Sequence, residues 1–399
     1  MNGSTEQAAV GSSAPRRASG QDHWQLLWSL IKVAVLLYIF LVGVGCLSSG
    51  IKGLGKGAMD AYMSADMNPL VGLIVGILAT TLVQSSSVTT SLIVGLVASG
   101  QVGVAQAIPM VMGANIGTTV TNTIASLAHA GRGEEFRRAF AAATCHDFFN
   151  FLAVLTLLPL ELLGRVVAGI GPLEYLSHGL AQRLAGIGGT SYKSPLKVMF
   201  KAGVKSVEWL LSWLDGHTAN IALAVVGCVL IFVTLALVVK VMRGVMMSRV
   251  ERFVNRFLGS GGLVAMFVGI VVTAAVQSSS ITTSILVPLA GAGIVTLTQV
   301  YPITLGANIG TTVTALLAAT AVSGDQGAAA VQVALVHLFF NLAGILIWYV
   351  PPFTRRLPLF AARRLADVAV RSKKVAIAYV AGMFYGLPAA LFLLSRALS

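Results

Sequence analysis

Charged residues are scarce in this chain of 399 residues. Only 10% of the residues are Asp, Glu, Lys or Arg, whereas 56% are hydrophobic, and the mean hydropathy is +0.85. So few charges exclude an ordinary water-soluble domain, and the long apolar runs match a hydrocarbon core about 30 Å thick. The composition therefore predicts an all-α polytopic membrane protein.

Acidic residues and cysteines are few, with 14 acidic residues against 27 basic ones and 3 cysteines. The net charge of +13 does not indicate nucleic acid, because the basic residues cluster in connecting segments such as 240–256 and 355–374, where lipid headgroups explain them better. Cys46, Cys145 and Cys228 lie in apolar surroundings, which argues against a disulfide framework or a transition-metal site. Membrane lipid is thus an expected partner, and nucleic acid is not.

The chain does contain a duplicated polar segment. Residues 83–121 recur without a gap as residues 276–314, and 23 of the 39 aligned positions are identical. Each copy opens with Gln-Ser-Ser-Ser and closes with Gly-Ala-Asn-Ile-Gly-Thr-Thr, and neither contains a charged residue. Polar groups inside apolar segments are costly, so this density of hydroxyls and amides indicates a function.

The apolar segments on either side of each Gln-Ser-Ser-Ser are too short to cross a membrane alone. They predict a re-entrant hairpin over 69–99 in a first half (23–163) and another over 262–292 in a second half (219–397). The glycines of the second motif predict broken helices over 104–128 and 295–321. Residues 1–22 are expected to be a disordered tail without a signal-peptide pattern, and residues 164–218 a connecting loop.

A third repeated element pairs His and Asn four residues apart. His146 and Asn150 in the first half correspond to His337 and Asn341 in the second. This spacing places both side chains on one helical face, which favours a hydrogen-bonded brace between helices over a catalytic or metal site. Asp147 occurs in one copy only, and we expect it to pair with Arg137 or Arg138.

Side-chain oxygens of Gln, Ser, Thr and Asn suit Na⁺, while hydroxyls and helix N-terminal amides suit an oxyanion. The alternative is that these side chains only join helices, as small polar residues do in membranes. An enzyme is not expected, because neither serine run has the Gly-x-Ser-x-Gly pattern of a nucleophile. An intramembrane serine hydrolase therefore remains only an alternative that fluorophosphonate labelling would test.

The motifs together resemble the type II sodium-phosphate cotransporters. The resemblance rests on both Gln-Ser-Ser-Ser motifs and on the segments 107–118, 135–140, 143–150 and 301–312, and it covers roughly residues 25–395. It implies two inverted repeats that form a transport core beside a scaffold, with inorganic phosphate as substrate, Na⁺ as coupling ion, no other cofactor, and a homodimer. The short segment between residues 163 and 219 resembles a bacterial member, which would be multi-pass in the plasma (inner) membrane.

The resemblance also implies the site. The expected phosphate ligands are Gln84, Ser85, Ser86, Ser87, Asn115, Thr118, Ser278, Ser279 and Asn308. The expected Na⁺ ligands are Gln277, Ser278, Thr311, Thr314, Gln84, Thr118, Thr121 and Asp60. Asp60 would be the carboxylate that separates charge-moving from electroneutral members, with Asp66 as the second choice.

No Lys or Arg lies in the repeated segments, so bound Na⁺ must neutralise much of the phosphate charge. Binding of the anion would then depend on the cation, and the two gradients would be coupled. The sequence leaves open a Na⁺-coupled carboxylate transporter and a non-transporting phosphate sensor.

Overall fold

The computed structural model describes residues 20–54, 68–187, 195–257, 261–322 and 326–397, and within these ranges the chain is helical with no strand. The elements follow in chain order, with a short 3₁₀ turn after α5 and a π turn after α15. They are α1 (Gly20–Gly53), α2 (Pro69–Val83), α3 (Ser86–Ala98), α4 (Val104–Thr118), α5 (Val120–Ser126), α6 (Gly133–Ala168), α7 (Pro172–Ile187), α8 (Pro195–Leu210), α9 (Gly216–Phe257), α10 (Gly262–Val276), α11 (Ser279–Gly291), α12 (Leu297–Thr320), α13 (Gln326–Trp348), α14 (Pro352–Arg371), α15 (Lys373–Ala381) and α16 (Leu387–Ala397).

Six helical segments of the described part are long and apolar enough to cross a membrane. They are Leu27–Gly53, Gly133–Ala168, Gly216–Val241, Leu297–Thr320, Gly327–Trp348 and Lys373–Leu393. A span of about 20 apolar residues is what a hydrocarbon core requires. The all-α, polytopic membrane architecture that the composition predicts is therefore confirmed.

Four shorter apolar helices form two pairs, α2 with α3 and α10 with α11. Two residues join the helices of each pair, and α2 packs along α4 as α10 packs along α12. The duplicated segments thus have the same local arrangement. That the pairs are re-entrant hairpins in two inverted repeats stays a prediction.

The predicted helix break in the second half is wrong. Helix α12 is continuous through its Gly-Ala-Asn-Ile-Gly-Thr-Thr segment, and the first copy is interrupted only at Thr119, between α4 and α5. The glycines serve close packing instead. A Cβ atom at Gly113 would collide with the Leu73 carbonyl of α2, and one at Gly306 would collide with the Met266 carbonyl of α10.

Two connecting segments contain helices that the sequence analysis did not predict. The predicted loop 164–218 holds α7 and α8, and the basic segment after residue 351 forms α14. Leu359, Ala362, Ala366 and Ala369 make a buried stripe on α14, which packs on α6. Residues 1–19 of the predicted tail (1–22), together with Asp60 and Asp66, lie outside the described residues, whereas residues 20–22 are not a loose tail but begin α1.

Candidate functional site

The two Gln-Ser-Ser-Ser motifs form the same sharp turn. Gln84 ends α2 with φ 56° and ψ 28°, and Gln277 ends α10 with φ 58° and ψ 26°. They are the only non-glycine residues with positive φ in the described part of the chain. Because a non-glycine residue rarely adopts this conformation, its exact duplication indicates that each turn serves a function.

A serine caps the helix that follows each turn. The Ser85 hydroxyl accepts a hydrogen bond from the Val88 amide at 3.4 Å, and the Ser278 hydroxyl accepts one from the Ile281 amide at 3.4 Å. An accepting hydroxyl keeps its own proton for donation to a ligand. The first amides of a helix lack intrahelical acceptors, so each turn also presents the positive end of a helix dipole.

Both turns border one cavity of about 280 Å³. Helix α9 supplies an apolar wall, and the remaining lining comes from the duplicated segments. None of the lining residues is charged: Val83, Gln84, Ser85, Ser87, Val88, Thr121, Phe232, Leu235, Ala236, Val239, Gln277, Ser278, Ser280, Ile281 and Ser284. The cavity can therefore offer hydroxyls, amides and helix N-termini to a small ion.

The structure brings about half of the predicted site residues to this cavity. Those in its lining are Gln84, Ser85, Ser87, Thr121, Gln277 and Ser278. Thr314 lies directly behind, because its hydroxyl donates to Gln277 Oε1 at 2.8 Å.

The other predicted ligands among the described residues are not part of the cavity lining. Ser86 and Ser279 are buried at the starts of their helices. The hydroxyls of Thr118 and Thr311 donate to carbonyls of their own helices, at 2.9 Å and 3.0 Å. The two asparagines, Asn115 and Asn308, belong to a separate network between helices.

That network is the brace that the His and Asn spacing predicts. The His146 ring Nε2 lies 2.6 Å from Asn308 Oδ1, and Asn308 Nδ2 donates to Asn150 Oδ1 at 2.9 Å. Asn150 Nδ2 then donates to the Asn115 carbonyl at 2.8 Å. The brace is confirmed for His146 and Asn150, where it joins α6 to α4 of the first half and to α12 of the second, whereas His337 has no hydrogen-bond partner among the described residues.

Some residues at the site were missing from the sequence analysis. Asn122 Nδ2 donates to the Thr283 hydroxyl at 2.6 Å, and the Ser284 hydroxyl, which lines the cavity, donates to Asn122 Oδ1 at 3.1 Å. The Thr-Thr-Ser that follows each Gln-Ser-Ser-Ser was the available signal, because it recurs in both copies. These bonds join the end of the first copy to the beginning of the second.

Asp147 is a further residue whose environment the sequence did not reveal. It is 1% exposed, and its Oδ2 accepts hydrogen bonds from the Thr123 hydroxyl at 3.1 Å and the Tyr379 hydroxyl at 3.0 Å. Its Oδ1 has no hydrogen-bond partner among the described residues. A buried carboxylate surrounded by neutral hydroxyls is a suitable ligand for a cation.

The expected pairing of Asp147 with a neighbouring arginine is wrong. Arg137 binds Glu134 at 2.9 Å and Asp367 at 3.3 Å, and Arg138 donates to the Gly291 carbonyl at 3.0 Å. The reason is helical geometry: positions 137 and 138 lie more than two turns from position 147, where the helix reaches another environment.

Comparison with known proteins gives consistent matches. The Na⁺/Pi-cotransporter family matches residues 39–176 and 217–370. Sodium-dependent phosphate transport protein 2B of Pongo abelii is 34% identical, with 94% of this chain and 66% of that protein aligned. Protein 2A is 35% identical in Ovis aries (92% and 68%) and 36% identical in Rattus norvegicus (96% and 70%). The chain spans about two thirds of the length of these relatives, and no solved structure matches it significantly.

Proposed function

The chain belongs to the Na⁺/Pi-cotransporter family, and on that premise we propose that it moves inorganic phosphate across a membrane together with Na⁺. Both ions would bind at the cavity between the Gln84-Ser85 turn and the Gln277-Ser278 turn. The observation that carries this proposal is that two helix N-termini with capping serines border one uncharged cavity. A transport protein of this family is not an enzyme.

Phosphate would be held by donors from both halves. The hydroxyl protons of Ser85 and Ser278 are free to donate, and the first amides of α3 and α11 supply further donors at positive helix ends. Ser87 and Ser280 lie two residues after the capping serines and add their hydroxyls to the same cavity lining. Because each half supplies the same set, the anion would lie between the two turns.

Na⁺ would supply the positive charge that the cavity lining lacks. Gln277 Oε1 already accepts a bond from Thr314 and retains a second lone pair, so Gln277, Thr314 and Ser278 offer a group of neutral oxygens. A cation there reduces the cost of burying the phosphate charge. Phosphate affinity would consequently depend on Na⁺ concentration, which couples the two fluxes.

A second cation would bind at Asp147. Its unpartnered Oδ1 and the hydroxyls of Thr123 and Tyr379 supply three oxygens from three helices. Thr123 is adjacent to Asn122, which bonds the cavity residue Ser284. We assign to Asp147 the role in charge movement that the sequence analysis expected of Asp60.

Uptake of ³²P-phosphate into proteoliposomes tests the proposal. Uptake should require a Na⁺ gradient and should fall at least tenfold in Ser278→Ala. It should be unchanged in Ser177→Ala, because the buried Ser177 lies on α7 and, among the described residues, its hydroxyl bonds only the Glu174 carbonyl. Uptake that persists when choline replaces Na⁺ would refute it. Competition by succinate or citrate, with none by arsenate, would favour the carboxylate alternative, and binding without uptake would favour a sensor.

A further inference from the structure

Equivalent histidines of the two repeats differ in their hydrogen bonds. His146 Nε2 binds Asn308 Oδ1 at 2.6 Å, so a first-half histidine holds a second-half asparagine. The equivalent bond would join His337 to Asn115. His337 instead has no hydrogen-bond partner for either ring nitrogen within the described structure, although it is 1% exposed.

The asparagines four residues after these histidines, Asn150 and Asn341, also differ in their hydrogen bonds, and again it is the second-half residue that has an atom without a partner among the described residues. Asn150 Oδ1 accepts a bond from Asn308 at 2.9 Å, whereas Oδ1 of the equivalent Asn341 accepts none from any described residue. Asn115 donates to the Val111 carbonyl of its own helix at 3.1 Å, and its Oδ1 lies 3.5 Å from Asn341 Nδ2. The Asn115 side chain is therefore close to Asn341 on α13, but it does not form the bonds to a histidine and an asparagine that Asn308 forms.

Two further pairs repeat the pattern nearer the cavity. Thr314 donates to Gln277 Oε1 at 2.8 Å, but the hydroxyl of the equivalent Thr121 is buried and has no partner in the described part of the chain. Thr273 donates to Thr282 at 2.8 Å, but the hydroxyl of the equivalent Thr80 is likewise unpartnered. These bonds around the second copy thus have unformed counterparts around the first, although the capping bonds of Ser85 and Ser278 form in both.

Buried polar groups without partners are costly, and native proteins keep few of them. A chain that alternates between two arrangements of equivalent repeats must leave one set of bonds open in each arrangement. In a transporter with inverted repeats, the two end states differ by the exchange of the conformations of the two halves. The unpaired groups around the first copy, which include His337 and Asn341 of the second half, would then be paired in the opposite state.

We propose that His146 and His337 are positioning residues for alternating access. His146 holds Asn308 in the state seen here, and His337 holds Asn115 in the state that opens to the other side of the membrane. The exchange makes the two states alike in hydrogen bonding, so neither is strongly favoured when the site is empty. This inference rests on the proposed function, because it assumes that the cavity opens alternately.

The test measures on which side of the membrane the cavity is open. Ala236→Cys places a thiol in the cavity wall on α9, outside the proposed ion ligands. An impermeant thiol reagent is applied separately to each side of proteoliposomes without phosphate, and labelling of the chain lacking this cysteine is subtracted. His146→Ala should shift the ratio of labelling between the two sides by about threefold to tenfold, as loss of one hydrogen bond implies.

His337→Ala should shift the ratio in the opposite direction, and the double variant should return towards the original ratio. His146→Gln, which keeps a side-chain N–H donor, should preserve the ratio. The matched control is Thr156→Ala. Thr156 accepts a bond from Trp348 at 3.2 Å between α6 and α13, the helices that carry the two histidines, and its repeat counterpart is Ile347, which cannot form an equivalent bond. This control should leave the ratio unchanged.

Shifts in the same direction for both histidine variants, or unchanged ratios in proteins that remain folded by size-exclusion chromatography, would overturn the exchange. Labelling needs neither phosphate nor a Na⁺ gradient. Unchanged labelling with intact Na⁺-dependent uptake would therefore reject the role of the histidines alone. Absence of Na⁺-dependent uptake in the unmodified chain would reject the proposed function instead.

Discussion

Replacement of Asp147 by asparagine should remove one coupled cation from the transport cycle. Asparagine has nearly the same shape, and its side-chain oxygen can still accept bonds from Thr123 and Tyr379. The change therefore removes the charge while leaving the packing of α6 intact. The number of Na⁺ ions and the net charge moved per phosphate should each fall by one.

The magnitude follows from the two gradients that drive one Na⁺ ion. A membrane potential of about 100 mV contributes about 2.3 kcal/mol per charge, and a roughly tenfold Na⁺ gradient contributes about 1.4 kcal/mol. Their sum of about 3.7 kcal/mol corresponds to a limiting phosphate accumulation that is about 500-fold lower in Asp147→Asn than in the original chain. A loss of folded protein alone would lower the rate of uptake without changing this limit.

The assay combines ²²Na⁺ and ³²P-phosphate fluxes in proteoliposomes at a potential set by potassium and valinomycin. Tyr379→Phe is the matched control, because it removes one hydrogen bond to Asp147 and leaves the charge. Because the Tyr379 hydroxyl is also one of the proposed cation ligands, Tyr379→Phe should raise the half-saturating Na⁺ concentration, but at saturating Na⁺ it should preserve the ratio of Na⁺ to phosphate. Asp60→Asn should leave the ratio of Na⁺ to phosphate unchanged, which separates the roles of the two carboxylates. The reasoning is refuted if Asp147→Asn keeps both the flux ratio and the voltage dependence of the original chain.

Two further predictions concern packing and the Na⁺ ligands. Gly306→Ala should lower the free energy of unfolding by about 1–3 kcal/mol, because the added methyl group collides with a carbonyl of α10. Gly179→Ala should leave the free energy of unfolding unchanged, because a methyl group there meets no atom within 4 Å. Thermal unfolding in detergent measures both variants. Thr314→Val should raise the half-saturating Na⁺ concentration about twofold to tenfold, because it removes the hydrogen-bond donor to Gln277. The control is Thr320→Val, at the exposed end of the same helix. Equal half-saturating concentrations for the two variants would contradict the prediction.

Much of the protein could be predicted from local sequence. The apolar runs predict membrane-spanning helices because hydropathy and length alone satisfy the bilayer. The family could be predicted because its motifs are contiguous and duplicated, and the match to the family confirms it. Ser85 and Ser278 cap the helices that they precede, as short polar residues do wherever a helix begins.

The wrong predictions have a common cause. Glycine permits a helix to unwind and also permits another backbone to approach closely, and only the position of α10 decides between these roles at Gly306. The partner of Asp147 was sought among neighbours in sequence, but Tyr379 comes from a helix 232 residues away. Asn115 and Asn308 stay predicted ligands; in this structure the Asn308 side chain joins α12 to α6, whereas the Asn115 side chain donates within its own helix.

Local sequence was enough to predict that this protein lies in a membrane, that its polar turns are duplicated and to which family it belongs, because composition, spacing and capping act over a few residues. Which polar groups face the cavity and which bind one another depends on the packing of helices that are distant in sequence. His146 and His337 show the difference: both precede an asparagine by four residues, yet one binds across the repeats and the other does not. Equivalent sequences cannot specify this difference, because it depends on how the two halves pack.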